Sequence, residues 1–306
     1  MKGYKINRDY GYSIIELLIA ASIGLVLVSF IHNIVSKTLW VVKEIEASAE
    51  VLESAQYLIG LLSREIGLAG FFGDFSTASL PSSAAPALCQ PMSKDQVIKA
   101  MPYAVAGIDN VANGYKLCGR DTVLPGTDVI LLRRSVIDQK QPRYKLQSQQ
   151  IYIQGSFASS NPIIEHGDHS ASFILRQGNI PKPVRAWQQT LYYVSKDNTF
   201  KRRRFLNGRY LGSEPLIDGV QDFQVEYVVG KSGATSNCSK DYLSPPLTDK
   251  QWKRVVALRV HFLLRSSWQG QSQKSKVLKY ANRIYVIQDD GYYELFKVLA
   301  PIMNKL

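Results

Sequence analysis

GYSIIELLIA, residues 11–20, is the stretch whose reading decides how this chain folds. It opens an apolar run, YSIIELLIAASIGLVLVSFI over residues 12–31, that holds a single carboxylate, Glu16. As a helix rising 1.5 Å per residue the run is about 30 Å long, the thickness of one bilayer core. Lys2, Lys5 and Arg8 precede it, and no Lys or Arg follows before Lys37. That asymmetry predicts a cytoplasmic N-terminus, with everything from about Lys37 onward outside the inner membrane. The run continues into SFIHNIVSKTLW without the small-residue cleavage pattern of a secretory signal. A carboxylate inside a membrane helix costs roughly 2.5–3.5 kcal/mol on insertion scales, so Glu16 needs a counter-charge or a route to the interface.

The helical pattern does not stop at the membrane. Ile45, Leu52, Ile59 and Ile66 recur every seven residues, with Ser48, Ala55, Leu62 and Ala69 in the complementary positions. No proline occurs between residues 12 and 80, and the first breakers are the glycines of GLAGFFGD, residues 67–74. One helix from Tyr12 to about Gly67, roughly 80 Å long, is expected, its outer half laying this stripe on a globular part. STASLPSSAAPALCQPMSKD then reads as an irregular connection. Strands follow at TDVILLRRSV (127–136), QQIYIQGSF (149–157), ASFILRQ (171–177) and TLYYVSK (190–196). Phe223, Val225, Tyr227 and Val229 alternate with Gln224 and Glu226, and Val256, Leu258, Val260, Phe262 and Leu264 alternate with Arg259 and His261. Period-two patterns of this kind predict a half-buried antiparallel sheet. A long helix followed by strands is an α+β chain: a leader over 1–11, a membrane half-helix over 12–36, an outer half-helix and exit over 37–74, and a β-rich head over 75–306.

With 306 residues, 45% hydrophobic and 20% charged, the chain can bury a sizeable core. Its net charge of +12 suits nucleic acid, anionic lipid or an acidic protein partner alike. The densest basic run is Lys201, Arg202, Arg203 and Arg204, beside Tyr192, Tyr193 and Tyr210, a composition that can bind DNA or form a solvated surface. Three cysteines are present. Cys89 and Cys118 flank the Pro-rich connection, and a bridge there would close a loop of about 30 residues, worth roughly 3–4 kcal/mol. Pairings of either with Cys238 stay open. Templates for chemistry fail. GKSGATS (230–236) has Val225 where a phosphate loop needs glycine. EHGDHS, with His166 and His169, reads as a polar turn before it reads as a metal site. QDDGYYE, with Asp289 and Asp290, reads as a strand connection. The expectation is therefore no catalytic residue, no metal and no cofactor, with a membrane-anchored periplasmic enzyme as the minor alternative.

The order of parts at the N-terminus, a short basic leader ending in Gly11, then an aromatic, a polar residue, two isoleucines and a glutamate, resembles a type IV prepilin leader. The resemblance implies cleavage after Gly11 by a prepilin peptidase and N-methylation of Tyr12, which stands where the family usually has Phe. It implies that Glu16 becomes the fifth residue and pairs with the new amine of Tyr12, favouring the amine of a neighbouring subunit. LLSREIGLAGFFGD, PGTDVILLRR, PLIDGVQDFQVEYVV and VVALRVHFLLRSS together resemble the PilW family of minor pilins. That family implies a pilin-like fold and a place in the tip or priming complex of a type IV pilus. Its implied partners are other minor pilins, the major pilin and the inner-membrane assembly platform. The J-type minor pseudopilin of type II secretion has a similar plan, and a DNA-contacting subunit of a competence pilus is a further reading.

Overall fold

The computed structural model describes residues 13–75, 77, 80, 87–89, 93–136, 146–156, 162–230, 242–269, 276–281 and 283–305. Helix α1 spans Ile14–Gly67, 54 residues and about 80 Å. Its start is chemically marked. The Ser13 side chain accepts from the Ile15 N–H, and Glu16 accepts from the Ser13 N–H at 3.0 Å, the reciprocal pairing of a capping box. Its end is marked by Gly70, whose φ of +76° suits a residue without Cβ. The Gly70 N–H then donates to the Arg133 carbonyl at 2.8 Å, tying the helix exit to the sheet beyond.

Two antiparallel sheets follow, in an α+β layout. In the larger, Val105–Ile108, Val129–Val136, Arg185–Val194, Phe200–Leu206 and Arg209–Tyr210 lie side by side, with Ile151–Gln154, Ile163–His166 and Glu214–Ile217 attached at its margins. The turn between Arg185–Val194 and Phe200–Leu206 falls at Asp197-Asn198, and Asn198 has φ +61°. The second sheet has the order Tyr242–Leu243, Val220–Val229, Val255–Gln269, Gly291–Pro301. Here Phe223, Phe262 and Phe296 align across three strands, the last two rings stacked at 5.6 Å. The outer half of α1 lies on the strands Val255–Gln269 and Gly291–Pro301. One core joins helix and both sheets, with Leu58, Leu62 and Ile66 packed among Ile130, Tyr192, Phe200, Phe223, Val260 and Phe262.

Three sequence expectations need correction. First, the buried face of α1 runs through Ala47, Val51, Ala55, Leu58, Leu62, Ile66 and Ala69, whereas Ile45 is 62% and Leu52 47% exposed. A seven-residue repeat on a helix of 3.6 residues per turn drifts about 20° per step. Centred on Val51, Ile45 lies about 120° off the face, Leu52 about 100°, Ile59 about 80° and Ile66 about 60°. The heptad therefore spirals onto the core only at its end. Second, the Val220–Val229 strand is not half-buried. Gln224 and Glu226 are as enclosed as Phe223 and Val225: on that face Gln224 meets the Gly126 carbonyl, Glu226 meets Arg259 and His261, and the hairpin Lys276–Tyr280/Arg283–Ile287 reaches Asp222 and His261. Third, most of ASFILRQ is not strand, and only Arg176–Gln177 pairs, with Ile180–Pro181. The Gln154 side-chain amide takes both backbone groups of Leu175 instead, which removes them from a ladder.

Candidate assembly surface

From Ile14 to Leu39, α1 has no packing partner among the described residues. Ile14 is 79% exposed, Leu25 69%, Phe30 63% and Ile34 63%, and this apolar exposure continues to Val42. Each such side chain gains roughly 1.5–3 kcal/mol when fully removed from water. Among the described residues this helix is the one long and apolar enough to cross a membrane. Three of its hydroxyls are satisfied along the helix. Ser22 donates to the Ile19 carbonyl at 2.8 Å, Ser29 to Leu25 at 2.9 Å and Thr38 to Ile34 at 2.9 Å. Those three hydroxyls do not need water, which suits a lipid or helix-packed setting. Glu16 is exposed at the very start, its carboxylate on the Ser13 N–H. Gly11 and Tyr12, the expected cleavage and methylation positions, lie outside the described residues.

The second half of α1 is gripped at several levels. Glu50 accepts from the Ser267 hydroxyl at 2.9 Å, and Tyr292 donates to the Ser48 hydroxyl at 3.3 Å. In the last turn, the buried Glu65 meets Arg134 of the larger sheet at 3.1 Å. The exposed apolar half is thus continuous with an element locked into the head.

The basic run at 201–204 is paired with carboxylates rather than left as four free cations. Alternation along the strand splits the run between two faces. Lys201 pairs with Asp197 at 3.1 Å. Arg202 holds Glu214 in two hydrogen bonds of 2.9 and 2.7 Å, and Arg204 reaches the same carboxylate at 3.3 Å. Arg203 is buried, donating to the Leu211 carbonyl and facing Asp121 at 3.6 Å. Hydrogen bonds from Arg202, then its charge and that of Arg204, hold the Glu214 carboxyl below its ordinary value despite some desolvation.

A polar layer beside the Lys276–Ile287 hairpin escaped sequence reading. Glu226 receives both Arg259 nitrogens at 2.6 Å and faces His261 Nε2 at 2.8 Å. Arg259 lies over the Tyr242 ring, 3.3 Å from its centroid. Asp222 takes the Tyr280 hydroxyl at 2.6 Å and Arg283 at 3.2 Å. Burial lowers the His261 pKa from its ordinary value, outweighing the adjacent Glu226. Burial pushes Glu226 up, but the hydrogen bonds from Arg259 and His261 more than offset this and leave it lowered. Beside this layer Asp128 accepts from the Asn110 and Val225 N–H groups, and burial raises its pKa to about 7. The signal was present in the alternating polar positions 222, 224 and 226 and 259 and 261, but exposure was the simpler reading of them.

Cys89 and Cys118 are joined in a disulfide with Cα atoms 5.1 Å apart, packed beside Leu117 and Val123. Cys238 lies outside the described residues, as does most of GKSGATS. His166 sits in a strand, and His169, on the turn after it, holds Asp168 at 2.9 Å. Asp289 accepts from the Gly291 N–H and the Tyr293 hydroxyl and meets Arg265 at 3.2 Å, fixing its turn.

Residues 191–304 match the family model described as type IV pilus-assembly protein W. The match takes in the second sheet, the one on which α1 lies. No curated protein and no solved structure matched the chain.

Proposed function

We propose, from the match of residues 191–304 to the type IV pilus-assembly protein W family, that the chain is a minor pilin of the tip or priming complex. One observation carries the reading: a wholly exposed apolar half-helix runs without a break into a head that is built around the same helix. Such a subunit is held in the inner membrane as a precursor, N-terminus in the cytoplasm and head outside. A prepilin peptidase cuts after Gly11 and frees the Tyr12 amine, which is then methylated. Anchor helices pack side by side with those of other minor pilins and the major pilin. Glu16 constrains their register by pairing with an amine, because a lone charge in that setting is costly and breaking such a pair costs roughly 3–5 kcal/mol. The role is assembly rather than catalysis.

The test has two parts. Co-expression with a prepilin peptidase should give an N-terminus beginning at methylated Tyr12, read by mass spectrometry. An intact Met1, or a cut after the apolar run, would overturn the reading. Glu16→Ala and Glu16→Gln should both insert in the membrane yet lose recovery of the partner pilins on co-immunoprecipitation. Full recovery with Ala would remove Glu16 from the mechanism.

A further inference from the structure

We propose that Trp40 and Trp268 form a foot that seats the head on the outer headgroup layer of the phospholipid bilayer. The inference rests on the membrane-anchored precursor described above and adds a specific lipid contact to it.

Distance along the helix is the first argument. From Ser13 to Trp40 the helix rises about 40 Å, and a bilayer including its headgroups is about 40–45 Å thick. With Ser13 at the inner edge, Trp40 falls in the outer headgroup layer. Exposure is the second. The apolar surface continues past Lys37, with Leu39 58%, Val41 54% and Val42 44% exposed, and gives way only at Lys43 and Glu44. Those three side chains extend beyond the hydrocarbon core of a span that begins at Ser13, at the level where mixed apolar and polar contact is on offer.

The head reaches the same level from its own side. Strand Val255–Gln269 ends beside the helix, where Glu50 holds Ser267 and the Trp268 ring meets Trp40 edge-on, centroids 6.0 Å apart at 62°. Neither ring is buried: Trp40 is 40% exposed and Trp268 is half-buried. Tryptophan favours this depth, since its ring is apolar and its N–H prefers a wet partner. Lys37 and Lys43 bracket Trp40 on the helix, long enough to reach phosphate oxygens while their stems stay in the apolar layer. One aromatic from the anchor and one from the head, in contact at one height, would fix the head's distance and tilt over the membrane.

The full chain reconstituted alone in phosphatidylethanolamine–phosphatidylglycerol vesicles gives the test, because no neighbouring subunit is then present to cover the patch. Tryptophan fluorescence is read with lipids brominated either near the headgroup or deep in the acyl chain. Shallow-brominated lipid should quench, and Trp40→Phe and Trp268→Phe should each lose part of that quenching. Trp268→Tyr serves as a second variant should Phe disturb the sheet. If Trp268→Phe and Trp268→Tyr both leave the quenching unchanged while the chain still co-sediments with vesicles, the head stands clear of the membrane and the proposal falls. Stronger quenching of Trp40 by the deep label would also overturn it. Loss of co-sedimentation by the unsubstituted chain would instead sink the anchor reading beneath it.

Discussion

Glu65, in the last turn of the long helix, faces Arg134 of the larger sheet at 3.1 Å, and the carboxylate is almost wholly enclosed. The pair adds a charged tie between the long helix and the larger sheet, beside the apolar contacts they already share. Removing one partner leaves a buried charge alone, which costs about 3 kcal/mol or more. Glu65→Ala should lower Tm of the detergent-solubilised chain markedly, whereas the double change Glu65→Leu with Arg134→Met should recover much of the loss. Equal Tm values for the single and double variants would show that charge isolation is not the cause.

The helix face is open to a direct comparison. Leu58, outside the seven-residue series, is fully buried, and Ile45, which opens it, is 62% exposed. Leu58→Ala should cost about 2–5 kcal/mol by chemical denaturation. Ile45→Ala should leave stability within about 0.5 kcal/mol.

Acid response should split between two neighbouring groups. The folded pKa of His261 is below the ordinary 6.5, so the unfolded chain takes its proton first. That contribution to stability is lost as pH falls below about 6.5. Asp128 has the opposite sign, because its folded value of about 7 stands above the ordinary 3.8. It contributes stability that is fully present below about 3.8 and lost as pH rises through about 7. Glu226, held low, acts only under more acid conditions. Tm measured from pH 7 to pH 5 should fall more steeply in Asp128→Asn and flatten or rise in His261→Gln. The reverse pattern would place the titrating groups elsewhere.

Thiol accounting checks the cross-link. Three cysteines are present and two are joined. Alkylation of the denatured, unreduced chain should mark Cys238 alone, and reduction first should mark all three. Cys89→Ser with Cys118→Ser should cost roughly 3 kcal/mol, because the closed loop is long.

Much of this fold was legible because its signals are local. The apolar run, the absence of proline and the glycines from residue 67 onward define the long helix. What was lost depends on partners distant in sequence. Gln224 and Glu226 look solvent-facing until the Gly126 carbonyl and Arg259 are brought beside them. Arg203 looks cationic until Asp121 and the Leu211 carbonyl are brought beside it. The stripe through Ile45 failed for a different reason, since an exact seven-residue period and a 3.6-residue turn part company within three repeats.

The long helix joins an exposed apolar half to a core strut, and this makes it a mechanical link. A pull applied to the exposed half travels down one hydrogen-bonded rod into the layer formed by Leu58, Leu62 and Ile66. Tension there acts along the helix, so it shears many side-chain contacts at once instead of peeling them one by one. A head built in this way cannot part from its tether under load unless its own interior yields first.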